Sequence, residues 1–233
     1  MKKTKYVLGL LAVLSIVGWG PFSIFESPVH EHLGTHAWVD HETRLIKAQA
    51  DNIDANVLKL SLNAYVNAKQ HGFIGKQLLT IIDYSIPSSE RRLWVVDLRS
   101  GKVLYNTWVC HGKNSGKVMA TSFSNQPGSL KSSIGVFQTK EPYMGGNGYS
   151  LRLRGLEHGI NDNAYQRDIV VHGAWYASPD VARRYGELGR SWGCPAVSDS
   201  IAKPLIDTIK NNSLVVAYYP DSHWLRSSTF LAG

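Results

Sequence analysis

The stretch from residue 77 to residue 219 is built largely of short apolar segments separated by loops rich in glycine and serine. Such segments are typical of β-strands, because branched apolar side chains pack well on a pleated sheet. The predicted strands are residues 77–84, 93–97, 103–109, 134–139, 149–153, 169–172 and 214–219, and the longest loops are residues 124–133 and 145–150. Arg99-Ser100-Gly101 predicts a hairpin turn between the second strand and the third.

Helical spacing appears at three places around these strands. Apolar residues recur at this spacing from Ile53 to Ala68, and Gly72 follows, which predicts a helix over residues 52–71 capped by Asp51 or Asn52. Residues 179–188 and 198–210 are also predicted to be helical, and the second begins with the good capping residue Ser198. The fold class expected is therefore mainly β, with a few flanking helices.

The N-terminus resembles an export signal. Lys2, Lys3 and Lys5 precede an uncharged, mostly apolar segment over residues 6–25, a pattern typical of secretory signals. The segment is also about long enough to span a bilayer once. Pro21 makes the cleavage signal poor, so both a cleaved signal peptide and a signal anchor stay open. The positive flank predicts that the remainder of the chain lies outside the cytoplasm.

These patterns divide the chain into four parts: a signal or anchor at residues 1–26, a polar linker at 27–50, a folded domain at 51–222 and a tail at 223–233. Four histidines fall within the linker: His30, His32, His36 and His41. Imidazole is a common metal ligand. No cysteine or close ligand spacing accompanies these histidines, so a solvated linker is the preferred interpretation.

Composition excludes several classes of protein. Hydrophobic residues make up 43% of the chain and charged residues 18%, which argues against a wholly disordered chain. Two cysteines, Cys110 and Cys194, are too few for a disulfide scaffold. The net charge of +7 suits an anionic partner such as a wall polymer or a membrane. The charges are scattered, however, so a nucleic-acid partner is not expected.

Two segments carry residues suited to nucleophilic catalysis. Residues 169–173 form an apolar strand that ends in His172 and Gly173, and residues 190–197 place Cys194 after Gly193. An imidazole beside a thiol can accept its proton and form an ion pair. A glycine before the cysteine lets backbone amides turn toward a developing oxyanion. A buried thiol and a hydrogen-bonded core histidine would account for Cys194 and His172 equally well.

Several motifs resemble a known family. Ser191-Trp192-Gly193-Cys194, preceded by His172-Gly173, is similar to the L,D-transpeptidase catalytic domain (YkuD type) of bacterial cell-wall enzymes. Ser133-Ile134-Gly135-Val136-Phe137 resembles the start of a strand in that family. The segment beginning His111-Gly112 resembles its divergent murein L,D-transpeptidase branch. The resemblance covers about residues 93–220 and implies a mixed β-sandwich fold.

The chain departs from the family pattern at two positions next to the cysteine. Trp192 stands where the family has a histidine, and Ala196 stands where it usually has an arginine. Both the nucleophile and the base of the family are retained. The resemblance is therefore stronger for the fold than for the details of the substrate.

The resemblance implies that Cys194 attacks a peptidoglycan stem tetrapeptide on the L side of an L,D bond, with His172 as base. Terminal D-alanine would leave, and an amine or water would resolve the thioester. No metal or organic cofactor is implied, and peptidoglycan stem peptides are the expected partner. The supporting residues are Gly193, Ser191 and Gly173, and the candidates for substrate binding are Arg190, Tyr143 and Trp192.

Three other functions remain open at this point. The first is a catalytically silent peptidoglycan-binding domain of the same fold, and the second is an L,D-carboxypeptidase. The third is an envelope zinc peptidase using His111, His158 and His172, although the chain lacks the close spacing that metallopeptidases usually show. The export signal places all of them in the periplasm or cell envelope, at the inner membrane if the signal is not cleaved.

Overall fold

In the computed structural model, which describes residues 32–232, eight strands form one continuous mixed sheet. Their order across the sheet is β3-β2-β1-β8-β4-β5-β6-β7. The pairs β1–β8 and β6–β7 are parallel, and the other neighbours are antiparallel. The strands are β1 (Leu78–Asp83), β2 (Leu93–Asp97), β3 (Lys102–Thr107), β4 (Gly135–Gly145), β5 (Gly148–Gly155), β6 (Val170–Gly173), β7 (Ala196–Val197) and β8 (Leu214–Tyr218).

The prediction of a mainly β fold with a few helices is confirmed. The seven predicted strands correspond to β1–β6 and β8, whereas β7 is too short to be recognised from its sequence. The predicted loop at residues 145–150 is instead the tight end of the β4–β5 hairpin, where Gly145 lies opposite Gly148. The strands belong to a single hydrogen-bonded sheet, and β1, β2 and β8 are almost entirely buried at its centre.

Helices cover the sheet and supply the rest of the core. The three predicted helices are present, and α2 begins after Asp54, whose carboxylate accepts hydrogen bonds from the backbone N–H groups of Asn56 and Val57. A short 3₁₀ helix, Trp175–Ala177, follows β6. Within residues 32–232 the α-helices are α1 (His36–Lys47), α2 (Ala55–Gln70), α3 (Pro179–Tyr185), α4 (Asp199–Ile209) and α5 (Ser222–Ser227).

The predicted polar linker at residues 27–50 is wrong where it overlaps α1. This helix is capped by the Thr35 hydroxyl and packs on α2, burying Trp38, Val39 and Ile46. Its other face is polar and exposed, so the amphipathic helix looks like a solvated segment when only its composition is considered. Within the described residues, no group of three or more histidine, cysteine or acidic side chains is placed to hold a metal ion.

The predicted C-terminal tail at residues 223–233 is also wrong. Trp224 of α5 is completely buried, and its indole N–H lies 3.0 Å from both carboxylate oxygens of Glu157. Phe230 and Leu231 are buried as well. The C-terminal segment is mostly polar, but a few large apolar side chains pack it against the domain.

The predicted signal or anchor at residues 1–26 lies outside the described residues, and so does His30. Among the helices of residues 32–232, none combines the length and the apolar character needed to cross a bilayer. The choice between a cleaved signal and an anchor stays a prediction.

Replacing Trp224 by alanine tests whether the C-terminal segment belongs to the core. The variant loses a fully buried indole and its hydrogen bond to Glu157, so we expect its free energy of unfolding to fall by about 3–5 kcal/mol. The measurement is urea unfolding, and the control is His223→Ala, which removes an exposed side chain of the same helix. Equal stability of the two variants would show that the segment does not contribute to the fold.

Candidate active site

A surface cavity of about 470 Å³ contains both Cys194 and His172. The structure thus brings together the two residues that sequence analysis paired as nucleophile and base. In the sequence, 21 residues (173–193) lie between them. The residues lining the cavity are Asn147, Arg167, Asp168, Ile169, His172, Tyr176, Arg190, Ser191, Trp192 and Cys194.

Pairing between β6 and β7 positions the two residues. His172 lies opposite Ala196 in this parallel pair, so Cys194 is carried to a point just before the start of β7. There the Cys194 Sγ accepts a hydrogen bond from the Val170 N–H at 3.5 Å and donates one to the Asp168 carbonyl at 3.4 Å. The thiol therefore lies against the start of β6, the strand that carries His172.

The ring of His172 is held in one tautomer. Its Nδ1 lies 2.7 Å from the Gly173 carbonyl oxygen, and because a carbonyl only accepts hydrogen bonds, Nδ1 carries the proton. In the neutral ring Nε2 is then free to accept a proton. Burial lowers the pKa of His172, which keeps the ring neutral near pH 7.

Gly173 is required for close packing of β6 against α4. A Cβ at this position would lie 2.6 Å from Asp199 Oδ1 and 3.0 Å from the Cβ of Ala202. Gly173 therefore contributes by packing and through its carbonyl, and it does not line the cavity.

The surroundings of the Cys194 thiol favour its protonated form. Burial raises its pKa, while the hydrogen bond from Val170 and the charge of Arg167 partly oppose that rise. Together the two shifts favour a neutral thiol and imidazole over the ion pair considered from the sequence, because burial makes charge costly for both groups.

Ser191 shapes the turn that presents Cys194. Its hydroxyl donates to the Cys194 carbonyl at 2.6 Å and accepts from the Gly193 N–H at 3.1 Å. The Gly193 amide thus already has an acceptor within the turn. The Cys194 N–H has no acceptor among the described residues and is a candidate oxyanion donor.

A second segment supports this turn from the other side. The Ser191 N–H donates to the His111 carbonyl at 3.0 Å, and the Lys113 N–H donates to the Ser191 carbonyl at 2.8 Å. These bonds flank a bridge between Gly112 and Ser191. The His111-Gly112 motif noted in the sequence therefore positions the cysteine turn.

The alternative bases and the second cysteine lie elsewhere. His111 is buried with its Nδ1 2.8 Å from the Arg92 guanidinium, and burial together with that cation lowers the pKa of His111 to about 4. His158 is exposed and paired with Asp162 at 2.9 Å. Cys110 is completely buried, and burial raises the pKa of its thiol to about 12. None of the three lines the cavity.

Two of the three predicted substrate-binding residues lie at the cavity. Arg190 and Trp192 line it, and the Trp192 side chain is 76% exposed at its rim. Tyr143 is not among the residues that line the cavity, and its part in substrate binding stays a prediction. Its ring instead stacks under the Arg152 guanidinium, 4.2 Å away, because the β4–β5 hairpin places the two side chains on the same face.

Sequence analysis did not assign to the site five residues that line the cavity: Asn147, Arg167, Asp168, Ile169 and Tyr176. Arg167 and Asp168 lie before β6 and are separated from it by Ile169. Asp168 adopts a left-handed backbone conformation with φ of 53°. That conformation turns the Asp168 carbonyl toward the thiol. Neither residue belongs to a motif, so only the folded chain reveals its position.

Replacing Gly193 by alanine tests the close approach of the cysteine turn to the neighbouring loop. Gly193 has a φ of 133°, and an added Cβ would lie 2.8 Å from the Lys131 carbonyl oxygen. We expect stability to fall by about 1–3 kcal/mol, measured by urea unfolding. Gly146→Ala is the control, because an added Cβ there meets nothing within 4 Å. An unchanged Gly193→Ala variant would show that the turn has room to relax.

The chain was compared with a family model, with curated proteins and with solved structures. The family model of the L,D-transpeptidase catalytic domain, YkuD_2, matches residues 49–218. A comparison with curated proteins gives no significant match. Similar solved structures include LdtMt1 in complex with imipenem, at 16% identity and a TM-score of 0.40 over 62% of this chain and 60% of that one.

Two further structures are similar at lower identity. An L,D-transpeptidase from Mycobacterium smegmatis is 15% identical with a TM-score of 0.39, covering 62% of this chain and 60% of that one. One from Stackebrandtia nassauensis is 12% identical with a TM-score of 0.34, covering 76% of each chain. The chain thus spans about 60% of the first two structures. Because the family model matches most of its length, the chain belongs to the YkuD_2 family of L,D-transpeptidase catalytic domains.

Proposed function

We propose that the protein is a cell-envelope cysteine acyltransferase that acts on peptidoglycan stem peptides as an L,D-transpeptidase. The observation that carries the proposal is the shared cavity of Cys194 and His172, in which His172 presents an unprotonated Nε2. Family membership supports the reaction class. No step of the reaction calls for a metal or an organic cofactor.

The first half of the reaction forms a thioester. The Cys194 sulfur attacks the carbonyl carbon of the diamino acid in a stem tetrapeptide, and its proton passes to His172 Nε2. The Cys194 N–H donates to the oxyanion of the tetrahedral intermediate. The bond to the terminal D-alanine nitrogen then breaks, and His172 returns the proton to that nitrogen.

The second half releases the acyl group. An amine of a second stem peptide attacks the thioester carbonyl and gives its proton to His172. The carbon–sulfur bond breaks, and the leaving sulfur recovers a proton from the imidazolium. Water in place of the amine would give the carboxypeptidase reaction, so the acceptor decides between the two activities.

The envelope is the proposed location. The N-terminal signal over residues 1–26 supports export to the periplasm or cell envelope, and peptidoglycan is found in that compartment. The net charge of +7 suits an anionic wall polymer. If the signal is retained, it would hold the domain at the inner membrane.

Incubation of the purified chain with a disaccharide tetrapeptide tests the proposal. We expect an acyl adduct on the intact protein and release of D-alanine, both read by mass spectrometry. Cys194→Ala should lose both, since it lacks the nucleophile. Cys110→Ala is the matched control, because it removes a buried thiol that lies outside the cavity, and it should retain activity.

The products distinguish the alternatives. A cross-linked dimer indicates the transpeptidase, and a tripeptide indicates the carboxypeptidase. Folded, reduced protein that binds the muropeptide and forms neither adduct nor product would instead be a silent binding domain.

The pH dependence of kcat/KM tests the neutral pair. Because the base must be neutral and burial lowers the pKa of His172, activity should persist as the pH falls through the ordinary histidine value of about 6.5. Because burial raises the pKa of Cys194, the thiolate should appear only above the ordinary thiol range. His172→Ala should lower acylation by about 10²–10⁴-fold.

Thiolate ultraviolet absorbance provides the direct reading. The difference between wild type and Cys194→Ala should be absent at neutral pH. A thiolate signal at neutral pH that disappears in His172→Ala would contradict the neutral pair and restore the ion pair.

A further inference from the structure

Arg167 is a half-buried cation in the wall of the cavity, and its hydrogen bonds go to neutral groups. Its Nη1 donates to the Ser124 carbonyl and to the Ser133 hydroxyl. Its Nη2 donates to the Ser129 hydroxyl at 3.1 Å and to the Lys131 carbonyl at 2.8 Å. These four bonds use all the Nη hydrogens and leave the Nε–H without an acceptor among the described residues.

No carboxylate of the described residues neutralises Arg167. Asp168, the acidic residue that lines the cavity, is paired with Arg152 at 3.1 Å, and its side chain is 74% exposed. The other cation of the cavity wall is Arg190, which is exposed and donates to the Gly116 carbonyl at 3.2 Å. The cavity therefore carries an excess of positive charge beside the nucleophile.

Burying a cation without a counter-ion costs free energy. Arg167 bears this cost, and its burial lowers the pKa of the guanidinium. An anion in the cavity would offset the cost. A charge-assisted hydrogen bond from Nε would also hold that anion in one orientation.

We propose that Arg167 binds a carboxylate next to Cys194 through its free Nε–H and its charge. This inference rests on the proposed function for the identity of the carboxylate. In a stem tetrapeptide the scissile nitrogen belongs to the terminal D-alanine, whose free carboxylate is attached to the α-carbon next to that nitrogen. A carboxylate site beside the nucleophile therefore selects peptides that end at that residue.

The loop that holds Arg167 also holds the cysteine turn. Lys131, whose carbonyl accepts from Arg167, packs against Gly193. The adjacent Ser132 hydroxyl donates to the Gly193 carbonyl at 3.0 Å. The guanidinium and the nucleophile are thus fixed to one scaffold, which keeps the carboxylate site in register with the thiol.

Two alkylating reagents of nearly the same shape test this site. Iodoacetate carries a carboxylate beside its reactive carbon, and iodoacetamide carries a neutral amide there. Both report equally on the reactivity of the thiolate, so the ratio of their rates isolates the effect of the carboxylate. The rates are measured on the full chain by mass spectrometry of the peptide that contains Cys194.

For wild type we expect the iodoacetate-to-iodoacetamide ratio to exceed that of glutathione by about tenfold, in keeping with a hydrogen bond to a charged group. Arg167→Gln should remove this preference, and Arg167→Lys should retain part of it. Arg154→Gln is the matched control, because Arg154 is exposed and lies outside the cavity lining, and it should leave the ratio unchanged.

Three outcomes would overturn the proposal. One is a wild-type ratio equal to that of glutathione, a result that needs no variant to fold. Another is an equal loss of both rates in folded Arg167→Gln, which would make Arg167 a positioning residue only. The third is loss of the preference in Arg190→Gln with the preference intact in Arg167→Gln.

The alkylation ratio does not depend on transpeptidase turnover. A high ratio that Arg167→Gln abolishes, in a protein that forms no acyl adduct with the tetrapeptide, supports the carboxylate site and contradicts the proposed function. An active enzyme with a ratio equal to that of glutathione contradicts the carboxylate site alone.

Discussion

The short parallel pairing of β6 with β7 is the constraint on which the site depends. It places His172 opposite Ala196 and thereby brings the Cys194 turn to the start of β6. The pairing is too short to hold the turn alone. The bridge from Gly112 to Ser191 and the internal bonds of Ser191 complete the support. The Cys194 turn is thus held by two separate segments of the chain, β6 and residues 111–113, and by the Ser191 hydroxyl within the turn itself.

Burial determines the electrostatics of the site. The same packing that fixes His172 and Cys194 removes water from them, so the pKa of the imidazole falls and that of the thiol rises. Both shifts favour the neutral forms of the two groups. The positive charge of Arg167 acts in the opposite direction and lowers the pKa of the Cys194 thiol. This effect links the proposed carboxylate site to the reactivity of the thiol.

The two departures from the family pattern have physical explanations in the fold. Trp192, where the pattern has a histidine, faces solvent at the cavity rim, and a bulky aromatic ring meets no obstruction there. Ala196, where the pattern has an arginine, is completely buried in an apolar cluster that includes Cys110 and Leu188. A guanidinium could not lie in that cluster, and the cations of the cavity wall come instead from Arg167 and Arg190.

The sequence by itself determined seven of the strands and three of the helices through local periodicity, and short motifs with their family resemblance singled out Cys194 and His172. The tertiary structure decided what depends on distant contacts. Burial of Trp38 and Trp224 makes the predicted linker and the predicted tail parts of the core. The polar composition of the two segments gives no sign of this burial. Arg167 enters the cavity because loop residues 124–133 bind its guanidinium, and no local pattern encodes a contact that forms only when the chain is folded.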